Sequence, residues 1–187
     1  YNLYKAPDDP ATNNSQNQIA ALLVQYDPVN GDVNANAKKV DGLIKANPNG
    51  FNLAVLPFNS FVGKVALNKA NIAQYAESLD GKSVSLAADI AKKYKTYLLF
   101  SMPESKDGKY YETAILLDFN GKQVGVYRKS HLNAEEQKWA TAGNDLPVFS
   151  TNDLGRVAVM LNDEVRIPEL TEVYALNRAN LILIPAM

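Results

Sequence analysis

The stretch Tyr110–Lys129, YYETAILLDFNGKQVGVYRK, holds two strand-like runs that meet at Asn120-Gly121. Asn-Gly is the pair that best tolerates positive φ at both central positions of a type I′ turn, so the pattern predicts a β-hairpin. Upstream of it, QIAALLVQY (18–26), NLAVLP (52–57) and YLLFSM (97–102) are near-continuous apolar runs, the pattern of strands buried on both faces. Between them Val33, Ala37, Val40, Leu43 and Ile44 share one helical face, and NPNG (47–50) ends that helix. Ile72, Tyr75, Ala76 and Leu79 suggest a short helix; Val84, Ala87, Ala88, Ala91 and Tyr94 predict a longer one. Downstream, PVF (147–149), GRVAVML (155–161) and LILIPA (181–186) read as strands. Pro168 suits the first position of a helix running to about Asn180.

The resulting order is β-α-β-α-β, a hairpin, then β-β-α-β. That alternation predicts an α/β fold with mixed sheets and helices on at least one face. Residues 1–17, YNLYKAPDDPATNNSQN, lack apolar periodicity and read as a polar arm or linker, leaving 18–187 as one domain. The sequence stops directly after an apolar strand that would need covering, so the domain is expected to be incomplete.

Composition narrows the functions. With 187 residues and 47% hydrophobic content the chain can build a sizeable core. A formal net charge of -1 gives no electrostatic footprint for nucleic acid or anionic membrane. No run has the length and apolarity of a spanning helix, so a membrane tether would have to come from a segment ahead of Tyr1. With zero Cys there is no disulfide, no thiolate metal site and no cysteine nucleophile, and one His argues against structural zinc. No Gly-rich phosphate loop occurs, and no cofactor or metal is expected. Cytoplasmic and extracytoplasmic settings fit equally well.

Four blocks taken together resemble the nitrilase superfamily of carbon–nitrogen hydrolases: AALLVQYDPVNGDVNAN (20–36), NLAVLPFNSFVG (52–63), YYETAILLDFNGKQVGVYRKSHL (110–132), and LPVFSTNDLGRVAVMLNDEVRIPEL with ANLILIPAM (146–170, 179–187). The resemblance implies an α-β-β-α four-layer sandwich and a Glu-Lys-Cys catalytic set. In that chemistry a thiolate attacks an amide or nitrile carbon, Glu shuttles protons and Lys holds the oxyanion. The family's domains are longer than this chain, which fits a C-terminally truncated sandwich.

Carried over residue by residue, the resemblance keeps the lysine as Lys129 and supplies Glu136 as the carboxylate that supports it. It puts Phe58 at the Glu position and Asn162 at the Cys position, with Arg166, Pro168 and Glu169 in structural places. A benzene ring carries no proton, and a carboxamide forms no thioester. Phe58 is expected to fill the vacated pocket, worth about 1.5–3 kcal/mol of burial. A buried ammonium left alone is costly, so Lys129 and Glu136 should pair.

The site therefore reads as degenerate, and the expected role is binding, assembly or regulation. A homodimer or higher oligomer would form through the helix near Pro168–Asn180, with Leu170, Val173 and Leu176 as apolar contacts, and a small amide-like ligand would occupy the pocket. The alternative is an active hydrolase or acyltransferase of amide-type bonds with a relocated nucleophile, including an extracytoplasmic domain like that of lipoprotein N-acyltransferases. Ser130 with His131 is excluded on the ground that neighbours on an extended segment point apart. Ser60 or Ser101 with His131 and Asp163 is the remaining set. Asp163 and Glu164 are expected in a solvated loop.

Overall fold

The computed structural model describes residues 18–47 and 50–187. The arm assigned to 1–17 and the centre of the NPNG stop, residues 48 and 49, lie outside the described residues.

The first sheet has five strands in the order β1 (Ala21–Leu23), β2 (Leu53–Val55), β3 (Tyr97–Lys106), β4 (Lys109–Leu117) and β5 (Gln123–Arg128). The first three run parallel, and β4 and β5 follow antiparallel. The second sheet places β7 (Arg156–Val159) between antiparallel β6 (Phe149–Ser150) and parallel β8 (Leu181–Leu183). Helices α1 (Val33–Lys45) and α3 (Lys82–Tyr94) cross over on one side, with the single turn α2 (Ile72–Tyr75) between them. Helix α4 (Pro168–Leu176) connects β7 to β8.

The two-residue period of the strands sorts side chains into layers. Ala54, Leu56, Leu98, Phe100, Met102, Ile115 and Leu117 face α1 and α3. Their neighbours Leu53, Val55, Tyr97, Leu99, Ala114 and Leu116 meet Val157, Val159 and Leu161 between the sheets. On the outer face of β7, Ala158 and Met160 pack against Leu170 and Tyr174 of α4. The two sheets and their helices thus form four layers, helix–sheet–sheet–helix, as the resemblance implied.

Local chemistry differs from expectation at several points. The β4–β5 connection is not a two-residue type I′ turn. Asp118 and Lys122 close a three-residue loop in which Gly121 takes positive φ (73°) while Asn120 is not among the positive-φ residues. Asp118 uses its side chain to accept from Asn120 and Lys122 N–H, which selects the longer loop. Positive φ at both central residues occurs instead at Asp107 (50°) and Gly108 (73°), between β3 and β4.

Strand β3 also runs four residues beyond Met102, through Pro103. That is tolerated because the Lys129 N–H bonds Glu112 O, which turns the Pro103–Glu112 pair into one without mutual bonds, so the missing donor faces away from β4. β1 is not doubly buried: it is the sheet's edge, and Leu23 is 73% exposed.

Helix α4 stops at Leu176 rather than Asn180. Arg178 turns left-handed (φ 58°), Ala179 N–H reaches back to Tyr174 O, and Arg178 N–H reaches Ala175 O. Leu170, expected as an oligomer contact, is 2% exposed and faces the core, whereas Leu176 is 78% exposed.

Candidate active site

The loops that follow β2, β5 and β7 emerge at the same end of the sandwich and carry Phe58, Lys129 and Asn162 respectively. The residues after β8 tie two of them together: Phe58 N–H donates to Ala186 O (3.3 Å) and Asn162 N–H to Pro185 O (2.9 Å). Phe58 is half-buried against the core between the sheets. Asn162 adopts left-handed φ (51°), a conformation that asparagine tolerates better than most side chains. Phe58, Asn162, Glu136, Trp139, Asn59 and Glu112 all line one cleft of about 400 Å³.

Lys129 lies at this end, fully sealed from solvent. Its N–H and C=O are held by Glu112 O (2.8 Å) and the Gly143 N–H (2.9 Å). Its ammonium donates to both oxygens of Glu136 (2.7 and 2.6 Å) and to Oδ1 of Asp163. Glu136 is positioned by a 3₁₀ turn, and its Oε2 also accepts from the Asn133 N–H (2.8 Å). Burial opposes the charge on Lys129, but the bonds to Asp163 and Glu136 prevail and hold its pKa above the ordinary lysine value. The expected Lys129–Glu136 pair is thus accompanied by a carboxylate the sequence reading had put in solvent.

The loop holding Asp163 and Glu164 is in fact a 3₁₀ turn, Asn162–Arg166, with both carboxylates engaged internally. Glu164 is fully buried. Its Oε1 accepts from Tyr127 OH (2.7 Å), the Ser130 N–H and Oγ (3.1 and 3.2 Å) and the His131 N–H (3.1 Å), and its Oε2 from the Leu161 N–H (2.8 Å). Burial and the Glu164 charge push the Tyr127 hydroxyl far above its ordinary pKa.

Ser130 and His131 do meet, with Oγ and Nδ1 2.9 Å apart. Strand β5 ends at Arg128, so the alternation of extended neighbours no longer applies at the bend. Glu164 lies 3.9 Å from that same Nδ1 and bonds the serine, not the far ring nitrogen, so the three groups do not form a relay. Ser101 Oγ accepts from the Asn59 N–H (2.8 Å) and Ser60 Oγ is buried without a partner; His131 meets neither. Among the described residues no three His, Cys, Asp or Glu side chains are grouped to hold a metal ion.

Sequence reasoning missed Glu112. It sits on β4, 2% exposed, and Asn59 Nδ2 donates to its Oε1 (3.0 Å). Its Oε2 and Oδ1 of Asn59 are buried without a hydrogen-bond partner. Burial pushes the carboxyl up to about 8; the Asn59 bond opposes this, the Glu136 charge adds to it and Lys129 counters. The available signal was an acid opening the run ETAILL, whose other members are all buried.

Comparison with known proteins places the chain in a family. Residues 20–187 match the model of the carbon–nitrogen hydrolases. The chain is 31% identical to a probable nitrilase of Schizosaccharomyces pombe over 169 residues, which is 86% of this chain and 61% of that protein. It is 31% identical to the omega-amidase NIT2-B of Xenopus laevis over 178 residues, 87% of this chain and 61% of that one. The fold matches the crystal structure of a carbon–nitrogen hydrolase from Helicobacter pylori G27 with a TM-score of 0.80 at 21% identity, covering 90% of this chain and 59% of the other. The chain thus spans about three fifths of the length of these relatives.

Proposed function

This chain belongs to the carbon–nitrogen hydrolase family, within the nitrilase superfamily, and from that premise we propose that it keeps the family's cleft for binding while lacking the acyl-enzyme chemistry. One observation carries the reading: Phe58 and Asn162, which the resemblance aligns with the family's carboxylate and thiol, open onto the same cleft as Glu136, in a chain without cysteine. No group there can form a thioester, and Asn162 offers only a neutral amide.

The surviving lysine fits the same view. Its ammonium is already bound to two carboxylates, Glu136 and Asp163, so a developing oxyanion would have to compete with both for its charge. A lysine whose charge is already balanced by its neighbours suits recognition, assembly or regulation better than catalysis. Self-association is proposed to use the outward side of α4, where Leu176 is exposed, and light scattering after size exclusion tests it by the mass of the species.

The test of function is ammonia release from a panel of small primary amides. No release above the buffer rate is expected. Release that disappears in Lys129→Ala, with circular dichroism showing the fold retained, would overturn the proposal. The 2.9 Å contact of Ser130 Oγ with His131 favours one second reading, a hydrolase or acyltransferase with a relocated serine nucleophile. Fluorophosphonate labelling at Ser130 is the outcome that reading requires.

A further inference from the structure

Along the cleft wall every ionisable side chain but one has a counter-ion. Lys64 pairs with Asp27 (2.9 Å), Glu135 with Lys138 (2.5 Å) and Glu136 with Lys129 (2.6 Å). Glu112 has none among the described residues, although it is 2% exposed and its Oε2 is unpaired. Beside it Asn59 has spent its amide N–H on Glu112, and its own Oδ1 is left without a donor. Buried polar atoms in a native protein almost always find partners, so two adjacent orphans on a cleft wall call for an explanation. Both are acceptors. What would satisfy them is a group that brings N–H donors, and what would balance Glu112 is a positive charge.

We propose that the cleft binds a small primary ammonium ion, a protonated alkylamine, whose N–H groups bond Oε2 of Glu112 and Oδ1 of Asn59. Its alkyl chain lies along Phe58, Val65, Leu67 and Trp139, which line the same cleft. A neutral carboxamide would bring donors without the charge; a quaternary ammonium would bring the charge without donors. The proposal goes beyond the proposed function, because it names the ligand chemistry and holds whether or not the cleft is catalytically silent.

Proton release accompanies binding. The free carboxyl titrates near 8, so at pH 7 it enters the complex by giving up its proton to buffer. The groups facing it are Asn59 from the loop after β2, Lys129 after β5 and Glu136 from the 3₁₀ turn, with Asp163 reached through Lys129. Lys129 is held above its ordinary value and stays charged through this range.

The experiment is calorimetric titration of the whole chain with n-butylammonium, butyramide and butyltrimethylammonium at pH 7 and pH 9. Butylammonium, an amine of lysine-like basicity, is charged at both pH values and is expected to bind about tenfold more tightly at pH 9. At pH 7 close to one proton is released per ligand, seen as a heat that varies with the buffer's ionisation enthalpy. Glu112→Gln keeps the side chain's shape, so the fold should survive, checked by thermal melting; it is expected to weaken butylammonium at pH 9 by at least about tenfold and to erase the pH dependence.

No binding of butylammonium at pH 9, unchanged binding by Glu112→Gln, or equal affinity for butyramide or butyltrimethylammonium would each overturn the proposal. Amide hydrolysis by the chain would overturn the proposed function alone. Failure of butylammonium to bind would leave that function standing.

Discussion

Glu164 and Glu112 are two carboxylates sealed into the same end of one sandwich, and the fold treats them in opposite ways. Around Glu164 it gathers Tyr127, Ser130, His131 and Leu161, all donating. Around Glu112 it supplies a single amide and leaves one oxygen bare. A buried carboxylate met by several donors is a structural tie: it fixes the β7 turn to the end of β5. A buried carboxylate with one donor is expensive to ionise, and a fold retains such a group where something else draws on it. The difference separates the scaffold of this cleft from the wall whose polar atoms are left unsatisfied.

The sharpest way to break the comparison is Glu164→Ala. It leaves the N–H groups of His131 and Leu161 without their acceptor and takes one of two partners from the Ser130 N–H and the Tyr127 hydroxyl, and should cost about 4 kcal/mol. For a chain of this size that lowers the melting temperature by about 8–16 °C. A loss below about 1 kcal/mol would mean that Glu164 ties nothing. Lys129→Met comes next, since it strands Glu136 and Asp163 beside each other without a cation. About 3 kcal/mol should be lost at pH 7, read by urea denaturation. Asp163 is one-third exposed, so solvent relieves part of its repulsion with Glu136.

Glu112→Gln should act in the other direction and only at high pH. The unfolded carboxyl titrates near 4.3 and the folded one near 8. Between those values the folded state holds the extra proton, so wild-type stability falls as pH rises and levels off above 8. The variant lacks that fall. It should match the wild type at pH 5 and exceed it by about 2 kcal/mol at pH 9, repacking and water absorbing part of the roughly 1.4 kcal/mol per pH unit. Equal pH profiles would erase the contrast with Glu164. The smallest effect belongs to His131→Ala. Glu164 holds that residue by its backbone N–H, so removing the ring should change stability by less than about 0.5 kcal/mol.

The succession of strands and helices was legible in the sequence because apolar period and turn chemistry are local signals, whereas the four-layer order came from the family resemblance. NLAVLP and YLLFSM became doubly buried strands, and Val40 and Ile44 became the inner face of α1. The same apolar signal misplaced β1, since periodicity cannot tell a central strand from an edge. The Asn120-Gly121 pair misled because Asp118, one residue outside the loop, captured the backbone donors first. In the candidate site, Phe58, Lys129, Glu136 and Asn162 could be placed by resemblance, and the structure brings them to one end. Asp163, Glu164 and Glu112 could not, because their partners lie 34, 37 and 53 residues away in the chain. Charge in a sequence looks solvated until the fold chooses its neighbours.

The left-handed backbone at Asn162 limits what can stand on it. A turn of that hand admits Asn, Asp and Gly readily and resists β-branched side chains, so mutational drift at this position runs along a narrow track set by backbone geometry rather than by reactivity. A protein could trade away the reagent at such a corner and still inherit the corner itself.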